Sequence, residues 1–294
     1  MTEGAIPYAG GETWYRIAGD GEEPGKLPLV CLHGGPGALH DYLEPLGGLA
    51  ATGRRVVFYD QIGCGNSWVE KDSSFWTVEL FVEEVAAVRD ALGLDRIHLF
   101  GSSWGGMLAM EYALTQPDGL ASLVLSSSPP SIPVWEEETG RLRRELPAEV
   151  QAVLDEHEAA GTLDSPEYQE ATMEFYNRHV CRLDPWPDYV VRSFAGLEEH
   201  PEVYMTMQGP NEFVITGTLK DWDITDRLGE IDVPTLITAG RHDEFTPRQA
   251  DALHRGIPGS RFVTFEHSSH MQFVEEPERY RRVVADFLDH VEQG

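Results

Sequence analysis

The chain is short of cysteine, short of positive charge and without a long apolar run. Each shortage removes a class of protein. Three cysteines, Cys31, Cys64 and Cys181, stand among 294 residues. Their number is odd, their spacing is wide and no C-x-x-C pair occurs. Neither a disulfide framework nor a zinc knuckle is therefore expected, and a reducing compartment fits. Lys and Arg number 22 against 50 Asp and Glu, a net charge of −28. Such a surface repels phosphate backbones and anionic lipid, so the expected partners include no nucleic acid and no membrane. It can instead draw cationic substrates inward. No stretch approaches the ~18 apolar residues of a membrane span. The opening MTEGAIPYAGGETW has neither the basic segment nor the apolar run of a secretory leader. The expectation is a cytoplasmic protein. Internal repeats and low-complexity tracts are also missing, and the sequence does not fix an oligomeric state.

What is present is an alternation. Apolar runs end in glycine or serine at Leu27–Gly34, Arg54–Gly63, Asp95–Ser103, Leu120–Ser128, Val233–Asp243 and Ser260–His270. Near-continuous Val, Ile, Leu and Phe in such runs suits strands buried on both faces of a parallel sheet. Between them lie helical patterns at Thr77–Leu92, Trp104–Gln116, Pro247–Arg255 and Pro277–Val291, with apolar residues three and four apart. ETWYRIAG near the start reads as an antiparallel edge strand. From Pro129 to Trp222 the strands stop and helices take over. Ser165-Pro166-Glu167 is a helix start there, and Tyr168, Ala171 and Phe175 share one face. The fold class read from this is α/β: a mostly parallel sheet flanked by helices, with an inserted helical lid. Residues 1–128 and 223–294 form the core and residues 129–222 the cap.

The stretch LFGSSWGGML holds two adjacent serines. A serine nucleophile needs a base, an oxyanion hole and exposure. The turn G-x-S-x-G provides the exposure, with small residues two positions before and after the serine. For Ser103 those positions are Gly101 and Gly105; for Ser102 they would be Phe100 and Trp104. Ser103 is the candidate nucleophile. A strand precedes it and a helix follows. HGGPG, His33–Gly37, also follows a strand. Pro36 has no N–H, so Gly35 and Trp104 are the expected oxyanion donors. The loop lacks the G-x-G-x-x-G of a dinucleotide site. The acid and base should follow in the order Ser, Asp or Glu, His. RHDEFTP offers Asp243 and Glu244, and HSSHMQF offers His267 and His270; spacing ranks neither pair. His267-x-x-His270 lacks an obvious third ligand, so no metal is expected.

HGGPG, DQIGCGNS, GSSWGGMLA, GPNEF, GRHDEFTP and SSH, in this order, resemble the proline iminopeptidases, the prolyl aminopeptidase branch of the α/β-hydrolases. The resemblance runs from about Tyr8 to near the C-terminus. It implies an α/β-hydrolase fold, with Asp243 as the triad acid and His270 as the base. It implies that Glu212 and Glu244 hold the free α-ammonium of the substrate. It implies a structural use for DQIGCGNS, Asp60–Ser67, and a cis Gly35–Pro36 bond. The implied activity is a cofactor-free serine aminopeptidase acting on a small peptide or aminoacyl amide. Two catalytic alternatives share the triad: an amidase that removes an aminoacyl group from a natural product or small amide, and a carboxylesterase. A non-catalytic binding protein on the same scaffold is a third, opposed by the intact Ser103, Asp243 and His270.

Overall fold

A computed structural model describes residues 1–294. Eight strands form one sheet: β1 (Thr2–Tyr8), β2 (Gly11–Ala18), β3 (Leu29–Leu32), β4 (Val56–Tyr59), β5 (Ile97–Ser102), β6 (Leu120–Ser126), β7 (Thr235–Gly240) and β8 (Arg261–Phe265). Their spatial order is β1-β2-β4-β3-β5-β6-β7-β8. β1 and β2 pair antiparallel, as do β2 and β4, and every other junction is parallel. The expected edge position of ETWYRIAG is corrected here: β2 lies inside β1, which forms the true edge. β1 was hard to read because only Ile6 among its residues is buried. The turn between them is Ala9-Gly10, both at positive φ, which lacks the Asn-Gly or Asp-Gly signature of a tight hairpin.

Alternate residues of the central strands face opposite sides. Val30, Leu32, Val57, Leu99, Leu125 and Ile237 join one core cluster; Leu29, Cys31, Val56, Phe100, Val124 and Leu236 join another. The first face is covered by α1 (Val78–Ala91), α2 (Trp104–Leu114) and, further along the chain, α8 (Pro247–Gly256). The second is covered by a 3-10 segment, His40–Thr52, by the short α9 (Gln272–Glu275) and by α10 (Pro277–Gln293). Thr77 caps α1 through the Leu80 N–H, and at the start of α8 the Thr246 N–H donates to Gln249 Oε1 at 2.7 Å.

Five helices lie between β6 and β7: α3 (Ile132–Arg143), α4 (Ala148–Ala160), α5 (Pro166–His179), α6 (Asp188–Glu199) and α7 (Glu202–Met207). The Ser165 hydroxyl accepts from the Tyr168 N–H at 3.1 Å, with Pro166 opening α5. Tyr168, Ala171 and Phe175 pack with Leu142, Leu154 and Phe213 in a separate small core. Ile132, Trp135, Val203 and Met207 join the main cluster instead. Both ends of the helical insertion are thus rooted in the sheet domain. We propose residues 129–222 as the cap unit on this basis.

One buried carboxyl ties the hairpin to the loop after β4. Glu84 of α1 is fully buried. Its Oε1 accepts from the Thr13 hydroxyl at 2.5 Å and the Ile62 N–H at 2.8 Å, while Oε2 has no partner. Burial pushes its pKa up to about 8. The folded state therefore holds a proton that the unfolded chain has released, and stability falls as pH rises from the ordinary carboxyl range towards 8. Glu84→Gln should remove that slope. Thermal unfolding should show the variant gaining on the parent between pH 5 and pH 9; parallel curves would contradict the assignment.

Candidate active site

Ser103 sits between β5 and α2 with φ 56° and ψ −122°, a strained conformation for a residue with a side chain. The flanking glycines are required by contact. A Cβ on Gly101 would lie 2.2 Å from the Gly105 carbonyl oxygen, and one on Gly105 would lie 2.2 Å from the Leu32 oxygen. The Ser103 N–H donates to the Ser126 carbonyl at 2.9 Å, which ties the turn to β6. Ser103 lines a cavity at the junction of core and cap, whereas Ser102 is fully buried in β5.

The glycine loop after β3 approaches this turn closely. A Cβ on Gly34 would meet that of Ser103 at 3.1 Å. The Gly34 N–H donates to the Tyr42 hydroxyl at 2.7 Å. The Gly35 N–H has no acceptor within the chain, and the Trp104 N–H, first in α2, has no intrahelical partner. The Gly35–Pro36 bond is cis. Gln61 ties the two donor segments to each other. Its Nε2 donates to the His33 carbonyl at 2.8 Å, and its Oε1 accepts from the Trp104 indole at 2.9 Å. Its own N–H donates to His33 Nε2 at 2.9 Å. The structural reading of DQIGCGNS missed this link.

His270 Nδ1 meets Asp243 Oδ1 at 2.9 Å, and His270 lines the same cavity as Ser103. His267 is exposed, with its N–H on Glu276. Asp243 is fixed from several sides. Oδ1 accepts from the Phe245 N–H at 2.8 Å; Oδ2 accepts from the Ser127 hydroxyl at 2.5 Å, the Gly240 N–H at 3.2 Å and Gln272 Nε2 at 3.2 Å. Ser127 carries its own strain at φ 51°. Neither Ser127 nor Gln272 had a signal in the sequence, because their role depends on where β6 and α9 meet. Burial pushes the His270 imidazole down. The Asp243 carboxylate, with Glu212 and Glu275, more than offsets this, so its pKa is raised overall.

Two further carboxylates face the same space. Glu212 lies in the tight turn Asn211–Val214, whose Phe213 and Val214 N–H groups donate to Asn211 Oδ1. Its Oε1 accepts from the Tyr204 hydroxyl at 2.8 Å, and its carbonyl accepts from the Trp135 indole at 2.9 Å. Glu244 Oε1 lies 3.6 Å from His270 Nδ1, and Oε2 is buried with no partner. Burial raises the pKa of both carboxyls; Glu212 and Asp243 push Glu244 up further. Ser103, Gly35, Glu212, Glu244 and His270 all line one cavity of about 440 Å³. Among the cap aromatics, Tyr204 lines this cavity and Trp135 a narrow pocket behind Ser103. Phe175 belongs to the small cap core, and Trp186 packs on the second sheet-face cluster. A cluster of His40, Asp41 and Glu44 brings ligand atoms within 4.8 Å. Its groups are already paired, His40 Nδ1 with Asp60 and both carboxylates with Arg192.

The α/β-hydrolase fold family matches residues 28–277. The chain is an α/β-hydrolase and a serine hydrolase by class. A proline iminopeptidase of Saccharolobus solfataricus is 44% identical over 278 residues, 94% of this chain and 88% of its own. The crystal structure of a Mycobacterium smegmatis proline iminopeptidase superposes with a TM-score of 0.93 at 46% identity, covering 99% of each chain. That of VinJ gives 0.96 at 45% identity, again over 99% of each. The chain belongs to the proline iminopeptidase family.

The base role expected of His270 requires a neutral imidazole. Its raised pKa places the acid limb of kcat/KM above that of a free imidazole, about 6.5. Asp243→Asn removes the charge that raises it. Burial then dominates, so the limb should move to lower pH while kcat falls by roughly 10⁴. An unmoved limb in the pH–rate profile would contradict the pairing.

Proposed function

We propose that the chain is a serine aminopeptidase that hydrolyses the amide bond after an N-terminal residue bearing a free α-amine, with proline the favoured residue. Ser103 attacks the carbonyl carbon. His270 takes the hydroxyl proton and then delivers it to the leaving amine. Asp243 orients the imidazole and stabilises its charged form. The Gly35 and Trp104 N–H groups stabilise the oxyanion, each such donor lowering the barrier by about 3 kcal/mol. Water then hydrolyses the acyl-enzyme, with His270 as base again. The scheme uses no metal and no cofactor.

Glu212 and Glu244 hold the α-ammonium. The observation that carries this reading is the Glu244 carboxyl, buried with one oxygen unpartnered, 3.6 Å from the proposed base. A buried carboxylate without a partner is costly. A substrate ammonium supplies the missing charge and donors, and it lies one carbon from the scissile carbonyl. The likeness to proline iminopeptidases supports proline. An aminoacyl-amide hydrolase acting on a larger amine uses the same groups. A carboxylesterase has no use for the carboxylate pair.

The test is a panel of aminoacyl amides with free and N-acetylated amines. Prolinamide derivatives should be cleaved, and acetylation should remove most activity. Glu244→Gln and Glu212→Gln should each cost roughly 10- to 100-fold in kcat/KM, the worth of a charge-assisted contact of about 1.5–3 kcal/mol. Ser103→Ala should abolish turnover without altering the thermal unfolding curve. Equal rates on free and acetylated substrates would favour the esterase.

A further inference from the structure

The charge of the cavity walls bears on the other product of the reaction. The lining contains four carboxylates, Asp164, Glu198, Glu212 and Glu244, and no Lys or Arg. Its one basic group is His270, which must be neutral to act as the base. Glu212 and Glu244 are matched to the substrate amine, so Asp164 and Glu198 remain for whatever leaves. Both are exposed at the cap side of the cavity. Glu198 stands in the last turn of α6, which has no basic residue in that turn. The helix C-terminus adds partial negative charge of the same sign.

Two of the uncharged donors that line the cavity, on Ser193 and Gln169, are already engaged. The Ser193 hydroxyl donates to the Leu39 carbonyl at 3.1 Å, and the Gln169 amide donates to the Leu163 carbonyl at 2.7 Å. The remaining surface there is apolar, from Val180, Phe194, Leu197, Met205 and Met271. A dipeptide with a free C-terminus would bring its carboxylate, a few ångströms beyond the scissile bond, into this space. It would find apolar side chains, like charge and no cation. Juxtaposed like charges are a strong discriminator between ligands.

Building on the aminopeptidase reading, we infer that the leaving-group side of the cavity selects amines that are apolar and uncharged or cationic, and rejects a leaving residue with a free carboxylate. The preferred substrates are aminoacyl amides, and peptides whose C-terminal charge is blocked or lies outside the cavity. Asp164 and Glu198 are the specificity-determining residues.

The experiment compares Pro-Phe-NH₂ with Pro-Phe free acid. The two share the amine, the scissile bond and the apolar side chain, and differ only in terminal charge. The expected result is at least a tenfold higher kcat/KM on the amide in 50 mM salt. That preference should shrink in 1 M NaCl, where the screening length falls to about 3 Å. Glu198→Lys should lower the amide-to-acid ratio at least threefold. A wild-type ratio within twofold of unity, or a ratio unmoved by both salt and Glu198→Lys, overturns the inference while leaving the aminopeptidase reading intact. Cleavage of neither peptide would sink that reading, and the inference with it.

Discussion

A carboxylate kept out of water with nothing to neutralise it is the constraint around which this site is arranged. Glu244 follows the proposed triad acid directly in sequence, so one turn after β7 sends Asp243 and Glu244 to the same imidazole. Asp243 is satisfied by donors from β6, β7 and α9. Glu244 is not, and its second oxygen has no partner. Burial and the neighbouring Glu212 and Asp243 raise its pKa well above the ordinary range. Glu212 comes from the cap, with the Tyr204 hydroxyl on its Oε1. In the empty site desolvation therefore works against the charged form of both carboxyls. A bound ammonium reverses that preference, because it supplies the opposite charge where desolvation makes charge most effective.

The rest of the active centre stores strain in service of position. Ser103 after β5 and Ser127 after β6 both have positive φ. One would present a nucleophile; the other donates to the proposed triad acid, Asp243, at 2.5 Å. Gln61 joins the glycine loop to the Trp104 indole, so the two expected oxyanion donors are held relative to each other. Glu84 in turn holds the next residue, Ile62, by its N–H. A chain of buried hydrogen bonds thus runs from the N-terminal hairpin to the reaction centre, and its geometry owes little to the cap.

Much of this was legible in the sequence, for definable reasons. The parallel strands announced themselves because both faces are buried and the runs are continuously apolar. The nucleophile turn was legible because sterics at Gly101 and Gly105 allow no other residue. The competing pairs Asp243/Glu244 and His267/His270 were not separable by spacing; the family resemblance favoured Asp243 and His270, and geometry brings those two together. β1 was misjudged because an exposed edge strand has little apolar pattern. Ser127, Gln272 and Gln61 were invisible as partners because their contacts join segments remote in sequence. The sign of the leaving-group wall was equally hidden, since Asp164 and Glu198 meet the cavity only after α5 and α6 pack.

The central claim is that the empty carboxylate pair holds a proton which the substrate ammonium displaces. Calorimetric titration of the Ser103→Ala protein with prolinamide at pH 6, in buffers of different ionisation enthalpy, measures this directly. The account predicts a binding enthalpy that varies with the buffer in the sense of net proton release. A buffer-independent enthalpy, or proton uptake, would contradict it.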